Sequence, residues 1–178
     1  IENTEIILPS YTCVVVADAI VLSGNIPKFV DIVFDNYNMD LGQVEAAINS
    51  KTGAILATSL FGYPVDTGRL DEIVKNSNQK LLLIQDCAQS FGAKSAGTFV
   101  CNQGDVAIFS LRINKLISTI LGAIATTNNP EIYRKLKLFR DRYFGPPSMF
   151  SRLRRLFYVL STYIVFTEKV YRLVNFLE

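Results

Sequence analysis

The order of the residues predicts an α/β fold: a mainly parallel sheet with helices on both faces. Three observations carry that expectation. Short apolar runs of strand length alternate with stretches of helical period. One run, "GAILATSL" (53–60), is apolar almost throughout, as a strand buried on both sides is. Asp86 and Ser110 stand at the carboxyl ends of two further runs, where open α/β sheets bind their ligands.

Taken in order, "EIILP" (5–9) reads as a strand. "TCVVVADAIVLSG" (12–24) reads as a helix opened by a Thr12 cap and stopped at Gly24, although its valines favour strands. "IPKFVDI" (26–32) is a strand, and "DLGQVEAAINS" (40–50) a short helix with Asp40 as N-cap. "GAILATSLFG" is a buried strand. "DTGRLDEIVKNSN" (66–78) is an amphipathic helix opening at Asp66. "KLLLIQD" (80–86), "DVAIFSL" (105–111) and "GAIATT" (122–127) are strands. "NPEIYRKLKLFRDRY" (129–143) is a helix with Pro130 in its first turn and a basic last turn.

From Pro146 the character changes: the tail is basic, aromatic and helical in period. Its uncharged stretch, Leu156 to Thr167, is too short to span a bilayer. It could lie on a membrane surface. The preferred reading is a pair of helices that pack on another domain or subunit. The division expected is therefore 1–145 for a cofactor-binding portion and 146–178 for the helical tail.

Composition narrows the chemistry. Hydrophobic residues make up 49% and charged residues 19% of the 178, which excludes a disordered chain. A net charge of +2 and the lack of a basic arm argue against nucleic acid. Three cysteines without a CxxC pattern favour a reducing, cytoplasmic setting over a disulfide framework. There is no histidine, so Ser-His and Cys-His nucleophile systems and most zinc sites are excluded. Any proton transfer falls to Lys, Asp, Glu, Tyr or Cys. A chain that starts at Ile1, already in strand-like sequence, reads as an excerpt or a processed product.

Alone, Asp86 reads as a turn cap or ion-pair member, and Lys115 as a solvated lysine. With Gln89 and Ser110 they make a different pattern. An aldehyde cofactor such as pyridoxal phosphate needs a lysine amine for a Schiff base. It needs a carboxylate against its pyridinium nitrogen, a group near its phenolic oxygen and a hydroxyl on its phosphate. Lys115, Asp86, Gln89 and Ser110 supply those types. Neither GxGxxG nor GxxxxGK[ST] occurs, so a generic nucleotide-binding domain is a weaker reading.

The segments "EIILPSYTCVVVADAI", "PKFVDI", "YNMDLGQVEAAI", "LFGYPVD", "IQDCAQSFGA", "GDVAIFSLRINKLIST" and "GAIATTNNPEIYRKLKLFRD" resemble, in order and spacing, the DegT/DnrJ/StrS family of pyridoxal-phosphate sugar aminotransferases of fold type I. "DCAQSFGA" followed by Ser110 and, five residues on, Lys115 is the specific part. The resemblance implies that Asp86 holds the pyridine nitrogen, Gln89 lies near the phenolic oxygen, Ser110 binds the phosphate and Lys115 carries the cofactor and shuttles the proton. It implies transfer of an amino group, typically from glutamate, to a nucleotide-linked keto-sugar for polysaccharide, surface-glycan or antibiotic sugar biosynthesis, in a homodimer. Lysine rather than histidine at position 115 points to amino transfer rather than dehydration.

Departures from the family pattern stand beside this. Its upstream phosphate loop and small C-terminal domain fall outside this sequence. Ile120, Leu121, Gly122 and Ala123 replace a Gly-Glu-Gly-Gly run, and Cys13 stands where many members carry an aromatic residue. A truncated, non-catalytic relative acting as a structural, partner-binding or membrane-surface module is the alternative.

Overall fold

The apolar runs become strands because their backbones pair side by side, the four central ones with a partner on each edge. In the computed structural model, which describes residues 1–113, 115–119, 121–146, 148–165 and 167, six strands form one sheet. They are β1 (Glu5–Pro9), β2 (Ile26–Val30), β3 (Thr52–Thr58), β4 (Leu82–Asp86), β7 (Val106–Ser110) and β8 (Ala123–Thr126). Between β4 and β7, β5 (Lys94–Ser95) and β6 (Thr98–Phe99) form a small antiparallel pair that the sequence reading did not foresee. The sheet order is β2-β1-β3-β4-β7-β8. All neighbours are parallel except β7 and β8.

The helices are α1 (Val14–Leu22), α2 (Leu41–Ala47), α3 (Thr67–Asn76), α4 (Pro130–Tyr143) and α5 (Met149–Val165). Asp40 caps α2, accepting from the Gly42 and Gln43 N–H groups, and Asp66 caps α3 through the Arg69 N–H. Both caps fall where the sequence placed them. The start of α1 does not: its N-cap is Cys13, without a side-chain cap hydrogen bond, and the Thr12 hydroxyl is buried with no partner among the described residues. The helix forms because one face packs on the sheet: Val16, Ala17 and Ile20 lie against Ile6, Leu8, Ala54 and Leu56. Packing overrides the strand preference of its valines.

Right-handed crossovers decide which face each helix covers. The chain moves outward from β1 to β2 through α1, then reverses through α2 and α3. Alternating strand residues show the result. Ile7, Ile55, Ala57, Leu83 and Cys87 join Val44 of α2 and Leu70 and Ile73 of α3 in the larger core. Among the described residues of the first unit, α1 is the helix packed on the other face, over β1 and β3. Helices therefore lie on both faces, but beyond β3 the α1 side is open: Ile108 is 37% exposed.

The chain divides into two compact units, Ile1–Tyr133 and Arg134–Glu178. In the second, α5 carries an exposed stripe that includes Met149, Leu153, Leu156 and Leu160. The second helix expected in the tail lies outside the described residues, as does Ile120. Among the described residues no helix is long and apolar enough to cross a membrane.

Candidate active site

Parallel strands bring their carboxyl ends to one edge, so residues distant in sequence meet there. Asp86 ends β4, in register with Thr58 of β3 and Ile108 of β7. By strand alternation it faces the same side as Leu82 and Ile84, which pack with α1, and the opposite side from buried Cys87. Its Oδ1 accepts the Ala88 N–H at 2.9 Å. Burial pushes its carboxyl above the usual carboxylate range, while that hydrogen bond and the Lys115 ammonium pull the other way.

Gln89 sits in the turn after β4 and is exposed; its Oε1 accepts the Phe61 N–H at 3.2 Å. Ser110 ends β7, and its Oγ accepts the Arg112 N–H at 3.5 Å. Lys115 follows in the bend after β7, half-buried, with its N–H donated to the Arg112 carbonyl. Gln89, Ser110 and Lys115 line one cavity of about 360 Å³, together with Cys87, Ala88, Phe91, Phe109, Leu116 and Ile117. Asp86 is not among its lining residues, although Cys87 and Ala88, which follow it, are. Burial pushes the Cys87 thiol up to about 11, so at neutral pH it is no thiolate nucleophile, and Lys115 is the amine in the cavity.

The donor set suits a pyridoxal phosphate. The cavity is of a size typical for small-molecule sites. It offers an amine, a hydroxyl and an amide among apolar side chains. Asp86 is a partly desolvated carboxylate with one backbone donor, which a cationic ring nitrogen would complement.

The model of the DegT/DnrJ/EryC1/StrS aminotransferase family matches residues 1–152. The chain belongs to this family. Among relatives, it is 35% identical over 141 residues to the GDP-perosamine synthase of Escherichia coli O157:H7, covering 79% of this chain and 38% of that protein. It is 33% identical over 162 residues to the dTDP-3-amino-3,4,6-trideoxy-alpha-D-glucose transaminase of Micromonospora megalomicea subsp. nigra, covering 90% of this chain and 40% of the other. A solved structure of the E. coli GDP-4-keto-6-deoxy-D-mannose-3-dehydratase with bound hydrated PLP superposes with a TM-score of 0.74 at 26% identity, over 82% of this chain and 38% of that one. The chain thus spans well under half the length of these family members.

Sequence reasoning missed Phe61 as a partner of Gln89, and the aromatic cluster around it. Tyr11, Tyr37 and Phe61 meet with ring centroids 5.8 to 6.4 Å apart. The one available signal was "FG" at 61–62, a turn pair directly after a buried strand.

Proposed function

We propose that this chain is the cofactor-binding portion, residues 1–145, of a pyridoxal-phosphate-dependent aminotransferase. It moves an amino group, with glutamate as donor, to a nucleotide-linked keto-sugar. The observation that carries the reading is the convergence of Lys115, Gln89 and Ser110 on one cavity beside the β4 end that bears Asp86. Family membership and the sugar-nucleotide names of the relatives support the substrate class.

When bound, the cofactor supplies an electron sink for breaking a bond to the substrate α-carbon. The residues have separable tasks. Lys115 would hold the cofactor covalently through its Nζ and would move the proton at the substrate α-carbon. Asp86 would keep a proton on the ring nitrogen; a carboxylate in a partly dry setting does this strongly once it faces a cation. Ser110 would donate its hydroxyl to the phosphate, and Gln89 would donate to the phenolic oxygen. Phe109, itself buried, limits water on one wall of the cavity. The setting proposed is the cytoplasm and the assembly a homodimer, with the tail from residue 146 packing on protein rather than on a membrane.

Cofactor capture tests this. The chain is mixed with pyridoxal phosphate, reduced with borohydride and mapped by mass spectrometry beside Lys115→Ala. Label confined to Lys115 is the expected result. Scattered label, or equal label on the variant, would mean that this chain does not hold the cofactor.

A further inference from the structure

We propose that Phe61 is a positioning residue for Gln89: its backbone N–H locks the Gln89 amide so that the Nε2 hydrogens are the ones left to face the cavity. A backbone N–H can only donate, so the atom that meets it at 3.2 Å is Oε1. That consumes the oxygen's position and fixes the flip of the amide. Gln89 lines the cavity with Ser110 and Lys115. It therefore presents donors there, which suit an anionic oxygen.

The turn carrying this N–H is held firmly. Ser59 N–H donates to the Asp86 carbonyl at 3.2 Å, and Tyr63 N–H to the Leu60 carbonyl at 2.8 Å. These two bonds tie the segment after β3 to the end of β4 and close it on itself. Phe61 has φ 52° and ψ 20°, the left-handed region that a bulky aromatic residue seldom adopts. Its ring meets Tyr37 edge-on at 5.8 Å and Tyr11 at 6.4 Å, and Tyr37 is itself at φ 60°. Such backbone persists only where its surroundings over-determine it, which is common beside functional sites. The exposed cluster serves as the clamp that keeps the Phe61 amide on Gln89.

The inference rests on the cofactor reading above, and the test separates the two. In the cofactor-free chain, hydrogen exchange at the Phe61 amide is slow. Gln89→Ala speeds it roughly fivefold, the worth of one modest hydrogen bond, while Gln89→Glu, which keeps an acceptor, does not. With pyridoxal phosphate, the pH midpoint of the visible band is the second readout. A donor favours the anionic form of the oxygen it faces, so losing it moves the midpoint upward. Gln89→Glu and Phe61→Gly both raise the midpoint, and Phe61→Tyr, which keeps the ring, restores the parent value. Unchanged exchange in Gln89→Ala, or a parent midpoint in Phe61→Gly, would overturn the proposal. Slow Phe61 exchange in a chain that shows no visible band would sink the cofactor reading and leave the amide lock standing.

Discussion

Asp86 is costly until it meets a cation. Burial raises its carboxyl above its ordinary value of 3.8, so the folded chain holds a proton that the unfolded chain releases. Stability therefore falls as pH rises from that ordinary value through the folded one. In the cofactor-free chain, Asp86→Asn should raise the melting temperature at pH 7 and leave it unchanged near pH 3; thermal scans at the two values check this. The same substitution should abolish the visible cofactor band. Gln85 poses a second residue-scale cost. Its side chain is fully buried between Ala57 and Ala107 of the flanking strands, and neither amide atom has a hydrogen-bond partner in the described structure. Gln85→Leu should stabilise the chain by about 1 kcal/mol in urea unfolding, since it removes an unpaired polar group without changing its size much. The pattern "LLLIQD" marked Gln85 as one more strand residue; only the packing around it exposes the unpaired amide.

Among the elements, α3 shows how local sequence and packing cooperate. The Asp66 cap satisfies the Arg69 N–H at 3.0 Å, and the helix then delivers Leu70 and Ile73 to the core. Asp66→Ala should cost about 1 kcal/mol, read as a lower urea midpoint with an unchanged slope. The connection from β4 to β7 is set differently. Gly104 stands at φ +86°, and a Cβ there would lie 2.9 Å from the Leu83 carbonyl oxygen. The close approach lets Asp105 bond both ways with Leu83, at 2.9 Å through its N–H and 2.8 Å through Oδ2. The β5–β6 pair within the same connection escaped the sequence reading because two-residue strands have no periodicity to detect. The start of α1 escaped it because Thr12 is a good cap by type, yet tertiary contacts begin the helix at Cys13.

For the molecule as a whole, the two faces of the sheet should respond unequally to substitution. Ile55→Ala, in the core closed by α2 and α3, should cost about 2–5 kcal/mol, whereas Ile108→Thr on the open side should cost about 1 kcal/mol or less. Denaturant titrations of both variants decide between this and a sheet whose open side is covered in solution. A large loss in Ile108→Thr would place a packing partner over β7 and β8.

The sequence by itself determined the α/β class, the order of the principal strands and the helices with their Asp40 and Asp66 caps, and it singled out Asp86, Gln89, Ser110 and Lys115 as candidates. These follow from periodicity, residue type and spacing, which are local properties and were also enough to carry the family resemblance. Tertiary structure decided the rest. The reversal of direction after β2 determines which face each helix covers. Parallel pairing brings Gln89, Ser110 and Lys115 onto one cavity. The meeting of two turns, 28 residues apart, gives Gln89 its partner in Phe61. Contacts of that kind depend on where two strand ends stop in space, and no local pattern encodes it.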